Sequence, residues 1–286
     1  MPSEITKSPE ETCKQFLALF HPRDVASILG ITYSSLTYHI YRVNPDDRYS
    51  TFTIPKKSGQ DRTISAPITA LKLIQRSLNK ILHCVYHPKP SVHGFLYGRS
   101  IVTNAKIHSG KRYVFNIDLK DFFPSINFGR VRGLFMGHPF NLNDKVSTVL
   151  AQICCYNNEL PQGAPTSPII SNIICSKMDS ELQRFAGQNR CDYTRYADDI
   201  TFSTHMREFP PALAKLTGNK LAIDEQLKEI IKENGFKINS SKIRLQKYNA
   251  RQSVTGLTTN EFPNVKRKYV RQIRAMLYAW AKHGPV

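Results

Sequence analysis

The sequence predicts an α+β fold whose antiparallel sheet carries acidic side chains. Two short runs made mostly of β-branched and aromatic residues, 193–196 and 200–202, flank the adjacent acids Asp198 and Asp199. Such residues favour strands and Asp tolerates a turn, so this stretch is predicted to form a hairpin with acid at its tip. Apolar residues at helical spacing between residues 70 and 85 indicate the helical part of the fold.

A second predicted strand offers a third carboxylate. Between residues 113 and 119, aromatic and aliphatic residues alternate with Val114, Asn116 and Asp118. One face of this strand is therefore apolar, and the other face presents Asp118 near the end of the strand.

These three acids are candidate ligands of a divalent metal. Adjacent carboxylates repel each other unless a cation offsets their charge. Magnesium prefers hard oxygen ligands, and two ions held between carboxylates can clamp the attacking and the leaving oxygen of a phosphoryl transfer. For Asp198 and Asp199 alone, a turn whose acids are merely solvated stays open as the alternative.

Three motifs in the chain resemble the active-site signature of reverse transcriptases. They are Asp118 followed by Phe122-Phe123, then Leu160-Pro-Gln-Gly163, then Tyr196-Ala-Asp-Asp199. Two further stretches, Asn104-Ala-Lys-Ile-His108 and Val254-Thr-Gly256, are similar to the extra motifs that mark bacterial retron reverse transcriptases, within the group II intron-like superfamily. The resemblance covers the chain from about residue 49 to at least residue 281.

The resemblance implies a right-hand polymerase fold. Residues 1–45 would form N-terminal helices, 46–112 the fingers, and 113–260 an antiparallel-sheet palm with finger insertions and a primer grip at 254–260. Residues 261–286 would begin a helical thumb, because 266–283 is a basic stretch with an apolar stripe. We expect the thumb to be incomplete here and the natural protein to continue beyond it or into a fused domain.

The resemblance also assigns the chemistry to particular residues. Asp118, Asp198 and Asp199 would be catalytic and, together with Leu119, would hold two Mg²⁺ ions. Lys242 lies in a segment similar to the one whose lysine acts near the pyrophosphate leaving group. It is therefore a candidate general acid, and an ordinary surface lysine is the alternative.

Residues that contact the incoming nucleotide are expected in three places. The stretch 55–65 reads as a basic hairpin whose cations could bind triphosphate oxygens. The resemblance implies that Phe123 is a steric gate, because the family places an aromatic ring at this position, where it would clash with a ribose 2′-hydroxyl and so select deoxynucleotides. The full set assigned to dNTP binding is Lys56, Arg62, Asp121, Phe123, Gln162 and Gly163.

A site for RNA and primer is expected on two motifs. Asn104 and His108 are four residues apart and share a helical face, which suits gripping RNA or holding a neighbouring loop. A packed histidine is the alternative for His108. Val254, Thr255 and Gly256 are expected to grip the primer end.

Two other segments are predicted to be helical. Residues 23–43 have a helix–turn–helix-like rhythm, and two small helices packed on a larger domain are favoured over a DNA-reading unit. Ser167 is expected to cap a helix with Pro168 at its first position, which continues as one buried stripe to Phe185.

Composition points to a nucleic-acid partner. The 286 residues include 40 Lys and Arg against 22 Asp and Glu, a net charge of +18, so a polyanion is the natural partner. A membrane is not expected, since there is no apolar run of about 18 residues, no lipidation signal and no signal peptide. The six cysteines form no C-x-x-C pair and suggest reduced thiols of a cytoplasmic protein without zinc.

The sequence therefore predicts an RNA-directed DNA polymerase of a retron. It would copy a structured noncoding RNA into branched, RNA-linked single-stranded DNA (msDNA) by two-metal phosphoryl transfer. The resemblance implies dNTPs, the noncoding RNA, the DNA copy and an effector protein as partners, assembly into a higher-order oligomer, and a role in antiphage defence. The alternatives are a group II intron or abortive-infection reverse transcriptase, and a catalytically silent RNA-binding scaffold.

Overall fold

The computed structural model of the protein describes residues 8–55, 61–217 and 220–284. The chain splits into two compact units. The first unit comprises Met1–Pro88 and Asp121–Ser176, and the second comprises Lys89–Lys120 and Lys177–Val286. These boundaries differ from the predicted starts of palm and thumb at residues 113 and 261, and the assignment of fingers, palm and thumb stays a prediction.

The described residues form helices and antiparallel sheets, a combination that is typical of an α+β fold. The helices are α1 (Pro9–Leu17), α2 (Pro22–Ile28), α3 (Tyr33–Thr37), α4 (Thr69–Val85), α5 (Ile101–Ile107), α6 (Phe128–Met136), α7 (Asp144–Cys154), α8 (Ser167–Ile174), α9 (Ser176–Gln188), α10 (Glu225–Glu233) and α11 (Arg267–His283). The strands are β1 (Tyr49–Pro55), β2 (Asp61–Pro67), β3 (Tyr113–Lys120), β4 (Asp192–Tyr196), β5 (Asp199–Thr204), β6 (Ala214–Thr217), β7 (Lys220–Ile223), β8 (Lys237–Ile238), β9 (Arg244–Lys247), β10 (Ser253–Val254) and β11 (Leu257–Thr258).

The first unit is built from helices and one antiparallel hairpin, β1–β2. Helix α4 presents an apolar face in which Leu78, Ile81 and Leu82 are fully buried. The segment predicted to resemble a helix–turn–helix forms α2, α3 and a π-helical turn, and α2 packs against α7. Because the apolar residues of α2 and α3 point into this core, the packing interpretation is the one that the structure supports.

The long helix predicted through residues 167–185 is instead two helices. Helix α8 ends at Ile174 and α9 begins at Ser176. Ser167 does not cap α8, because its hydroxyl donates to the Pro161 carbonyl at 2.7 Å, and Thr166 occupies the N-cap position. Neither Gly nor Pro marks the break at Cys175, so no local signal predicts it.

The second unit contains the sheet that positions the site. Its strand order is β4-β5-β3-β8, with β9 also pairing β3, and every pairing is antiparallel. The central strand β3 is buried on both faces from Val114 to Leu119. Phe115 of β3 stacks on Phe202 of β5, so the sheet is tied to the core through its two central strands.

Helix α11 is the last described element of the second unit and is exposed along most of its length. None of its residues is buried, and it carries basic residues and no acid. Its apolar residues include Ile273, Leu277 and Trp280, the single tryptophan of the chain. Of the helices in the described ranges, none combines the length and the apolar character needed to span a membrane.

Candidate active site

The predicted acidic hairpin is present in the second unit. Strands β4 and β5 pair from Asp192↔Ser203 to Tyr196↔Asp199, which leaves Ala197 and Asp198 as a two-residue turn. Ala197 adopts a φ of 56°, in the left-handed region that residues with a Cβ rarely occupy. The chain therefore places Asp198 in the turn and Asp199 at the first position of β5.

Asp118 lies beside this turn, because β3 and β5 are in register at Asp118↔Asp199. Residues directly opposite each other in an antiparallel pair present their side chains on the same face, with Cβ atoms about 5 Å apart. The Leu119 amide donates to the Asp198 carbonyl at 3.0 Å, which fixes the turn against the end of β3. The three predicted carboxylates thus belong to one end of one sheet.

The charge of Asp199 is poorly compensated. Burial chiefly, together with the nearby charges of Asp198 and Asp118, raises the pKa of its carboxyl to about 6. Lys242 and Arg244 act in the opposite direction. A buried carboxyl whose pKa is raised in this way favours a nearby cation.

The carboxylate of Asp118 is held by two side chains. The Lys242 ammonium lies 2.9 and 3.0 Å from its two oxygens, and the Asn239 side-chain amide donates to it at 3.2 Å. The Asn239 backbone amide also donates to the Asp118 carbonyl at 2.8 Å. Lys242 is therefore an ion-pair partner of Asp118 and, with a side chain 57% exposed, it can reach solvent from the same position. Its role as general acid stays a prediction.

The donor set fits magnesium by its chemistry, since it consists of carboxylate oxygens that repel one another. Within the described residues, however, no three His, Cys, Asp or Glu side chains converge on a point where a metal ion could bind. In this structure the carboxylate of Asp118 is bound by Lys242. Asp118, Asp198 and Asp199 would hold the ions once Asp118 is released, and Leu119 could contribute only its backbone carbonyl, because its side chain has no donor atom.

Comparison with known proteins identifies the family. The family model "Reverse transcriptase (RNA-dependent DNA polymerase)" matches residues 54–260. The Retron Ec86 reverse transcriptase of Escherichia coli is 36% identical over 258 residues, which cover 89% of this chain and 76% of that protein. This chain belongs to the retron reverse transcriptases. The predicted right-hand polymerase fold is thereby confirmed as the fold of its family.

Two longer members of the family are also similar. The Retron Mx65 reverse transcriptase of Myxococcus xanthus is 35% identical over 92% of this chain, and the Retron Mx162 reverse transcriptase of the same organism is 35% identical over 91%. This retron reverse transcriptase spans 64% and 59% of their respective lengths.

The residues assigned to the incoming nucleotide lie in the first unit of the retron reverse transcriptase, and Lys56 lies outside the described residues. Phe122 is buried whereas Phe123 is half-buried, so one aromatic ring belongs to the core and the other reaches the surface. Asp121 is exposed with a φ of 47°. Arg62 is exposed on β2. Contact of these side chains with a nucleotide stays a prediction.

The Gln162–Gly163 loop is bound to the β1–β2 hairpin. The Ser65 amide donates to the Gln162 carbonyl at 2.8 Å, and a Cβ on Gly163 would lie 3.0 Å from the Ser65 carbonyl oxygen. Gly163 also has a φ of 125°, which favours glycine. The close approach that was expected for a nucleotide is therefore made, in this structure, by strand β2.

The predicted primer-grip hairpin is formed by β10 and β11. Its two turn residues, Thr255 and Gly256, have φ values of 45° and 86°. Val254 is fully buried against Ala105 and Val114, so its side chain anchors the turn to the core and is not available for contact with a primer. The exposed part of this motif is the turn itself, and its contact with primer stays a prediction.

The pair assigned to RNA is buried. His108 donates or accepts at both ring nitrogens, 2.7 Å from Ser203 Oγ and 2.7 Å from Thr194 Oγ1. Burial lowers the pKa of its imidazole to about 3, so the ring is neutral and links β4 to β5. Asn104 is buried as well, and its side-chain amide has no hydrogen-bond partner in the described part of the chain. Neither side chain is available to RNA in this conformation, which supports the packed alternative for His108.

Two sets of contacts that support the acidic hairpin were not predicted from the sequence. Arg195 and Asp179 form a fully buried ion pair, although Arg195 was regarded only as a strand residue and α9 only as core. The segment before α5 also braces the turn: the His93 amide donates to the Arg195 carbonyl at 2.8 Å, and a Cβ on Gly94 would lie 2.5 Å from the Ala197 nitrogen. Both depend on tertiary contacts, for which no local pattern exists.

Proposed function

We propose that this retron reverse transcriptase is an RNA-directed DNA polymerase that uses Asp118, Asp198 and Asp199 for magnesium-dependent nucleotidyl transfer. The observation that carries the proposal is the register pair Asp118↔Asp199 beside the Asp198 turn, with the pKa of Asp199 raised to about 6. Three carboxylates at one end of one sheet, with that of Asp199 buried beside the other two, are suited to a divalent cation.

Each proposed site residue would have its own role in nucleotidyl transfer. When bound, two magnesium ions would lower the pKa of the primer 3′-hydroxyl and neutralise charge on the phosphates during displacement of pyrophosphate. Asp118 and Asp199 would hold oxygen donors on one face of the sheet, and Asp198 would complete the set from the turn. Lys242 would leave Asp118 and place its ammonium near the leaving pyrophosphate. Phe123 would select deoxynucleotides by occupying the space of a 2′-hydroxyl.

The finer part of the proposal concerns template and product. We propose that the template is a structured noncoding RNA and that synthesis begins from a 2′-hydroxyl within it, which yields branched, RNA-linked DNA in the cytoplasm. Its support is membership of the retron family together with a net charge of +18. On family grounds alone, we also propose that the product serves antiphage defence with an effector protein.

The test is to purify the chain from cells and sequence the nucleic acid that accompanies it after RNase or DNase treatment. A short DNA joined to one RNA species is the expected result. RNA without attached DNA, even after magnesium and dNTPs are added, would contradict self-primed synthesis and favour the silent RNA-binding scaffold.

A double variant separates catalysis from binding. Asp198→Asn with Asp199→Asn should abolish DNA synthesis and keep RNA binding, because the substitutions remove charge and preserve shape. The matched control is Asp192→Asn on the same hairpin, whose carboxylate pairs with Lys111 at the surface. Loss of RNA binding in the double variant alone would point to misfolding or to a role of the acids in binding.

A further inference from the structure

The buried ion pair behind the acidic hairpin has a geometry that reaches the turn itself. Arg195 Nε and Nη2 donate to the two carboxylate oxygens of Asp179 at 2.7 and 2.8 Å, and both side chains are fully buried. The third nitrogen, Nη1, donates to the carbonyl of Ala197 at 3.1 Å. One planar guanidinium therefore connects helix α9 to the peptide that precedes Asp198.

Stability alone does not explain this pair. Removing two charges from water is costly, and replacing a buried ion pair by apolar residues of similar volume is often neutral or stabilising. Asp179 also accepts a hydrogen bond from the Tyr193 hydroxyl at 2.7 Å. Beyond compensating the charge of Asp179, the arginine adds the hydrogen bond to the turn.

That hydrogen bond acts on a turn that needs support. Ala197 has a φ of 56°, a conformation that persists only where the surroundings determine it. The carbonyls on either side of the Asp198 Cα atom each accept a hydrogen bond. Arg195 donates to the carbonyl of Ala197, and the Leu119 amide donates to the carbonyl of Asp198. With both peptides fixed, the direction of the Asp198 Cα–Cβ bond is fixed as well.

We propose that Arg195, itself oriented by Asp179, is a positioning residue that sets the direction of the Asp198 carboxylate for metal binding. The inference rests on the proposed function of the acids. A bidentate, planar donor is required for this role, because only a guanidinium can hold two carboxylate oxygens and a third acceptor in one plane. A lysine would keep the charge and lose the connection to the turn.

The test is therefore Arg195→Lys, compared with a variant that is destabilised to a similar extent without touching the pair. Leu182→Ala suits this purpose, since Leu182 is fully buried on α9 and its truncation leaves a cavity. Tyr193→Phe is the second control, because it removes a donor to Asp179 that does not reach the turn. Thermal unfolding and RNA binding are measured for each variant.

The decisive readout is binding of Mn²⁺ alone, measured from the loss of the free-ion EPR signal in the absence of nucleotide. We expect Arg195→Lys to weaken Mn²⁺ binding about fivefold or more and to lower kcat about tenfold with KM for dNTP little changed, as for an interaction lost from the transition state. Tyr193→Phe and Leu182→Ala should keep wild-type Mn²⁺ affinity. Asp179→Asn, which keeps its shape, should fall between wild type and Arg195→Lys.

Two results would overturn the inference. One is that Mn²⁺ affinity in Arg195→Lys equals that of Leu182→Ala at matched thermal stability, which would make the pair structural only. If Arg195→Lys does not fold, wild-type Mn²⁺ affinity in Asp179→Asn would have the same meaning. The Mn²⁺ titration also separates this inference from the proposed function, because it gives an answer even if the wild-type chain makes no DNA.

Discussion

Asp118 of β3 lies directly opposite Asp199 of β5 in the antiparallel ladder, with both residues largely removed from solvent. Like charges in directly opposed positions destabilise a sheet. The protein tolerates the arrangement in part through Lys242, whose ammonium binds the carboxylate of Asp118. The pH dependence of stability should therefore contain a contribution from the active site itself.

The first prediction concerns Asp199→Asn and pH. The pKa of Asp199 is raised from 3.8 to about 6, so the native state binds more protons than the unfolded state between these values. The contribution of this carboxyl to the free energy of unfolding is fully present below about pH 4 and is lost as pH rises through about 6. Without divalent metal, Asp199→Asn should match wild type near pH 4 and exceed its unfolding free energy by up to about 3 kcal/mol near pH 8. Urea unfolding in EDTA measures the unfolding free energy at each pH, with Asp192→Asn as the control. Parallel curves of unfolding free energy against pH for wild type and Asp199→Asn would contradict the prediction.

The second prediction concerns Lys242→Gln. The charge of Lys242 lowers the pKa of Asp199, so its removal should raise that pKa further and move the acid limb of the pH–rate profile to higher pH. The rate should also fall about tenfold or more at neutral pH. Primer extension from about pH 5.5 to 8.5 measures both effects. Lys247→Gln, an exposed lysine at the far end of β9, is the control. If Lys242→Gln lowers the rate but leaves the acid limb of the pH–rate profile in place, Lys242 acts as a general acid without affecting the pKa of Asp199.

The sequence predicted the elements of this site better than their supports. Alternation in residues 113–119 and the β-type runs around Asp198 identified both strands, because period-two patterns and turn chemistry are local. The registers that bring Asp118 to Asp199 and Asn239 to Asp118 are not local. They follow from sheet topology, which a single sequence does not contain.

Polar residues inside the fold were the least predictable from the sequence. Asn104 and His108 were expected to contact RNA, and both are buried in this structure, with His108 bonded to Thr194 and Ser203. An arginine in a strand gives no sign of burial until its carboxylate partner is known, and Asp179 lies on a helix sixteen residues earlier. Periodicity identifies apolar faces, and it does not identify polar groups that satisfy each other inside them.

The third prediction tests the steric gate. If Phe123 is the steric gate, Phe123→Val should raise the use of ribonucleotides relative to deoxynucleotides about tenfold or more, because a smaller side chain at this half-buried position would leave room for a 2′-hydroxyl. Single-nucleotide extension with matched dNTP and rNTP measures the ratio. Phe122→Leu is the control, since Phe122 is only 5% exposed and its truncation should lower stability with the ratio unchanged. An unchanged ratio in Phe123→Val would exclude this residue as the gate.

The fourth prediction concerns the brace at Gly94. A Cβ there would lie 2.5 Å from the Ala197 nitrogen, and a backbone atom cannot move aside without shifting the turn. Gly94→Ala should destabilise the protein by about 1–3 kcal/mol and slow DNA synthesis about tenfold or more. Gly133→Ala on α6 is the control, because nothing lies within 4 Å of the added methyl group. Wild-type activity in Gly94→Ala, measured by primer extension alongside thermal unfolding, would show that the turn tolerates displacement.

The exposure of helix α11 has a practical consequence for spectroscopy. Trp280, the only tryptophan in the chain, is 58% exposed there and contributes nothing to the core of either unit. Its emission is therefore a built-in optical reporter of whatever covers this helix, read against a background of thirteen tyrosines. A blue shift on addition of nucleic acid would register a contact at α11 without any label. Unfolding of the sheet that carries Asp118 and Asp199 is better followed by circular dichroism, because Trp280 is not part of the buried core.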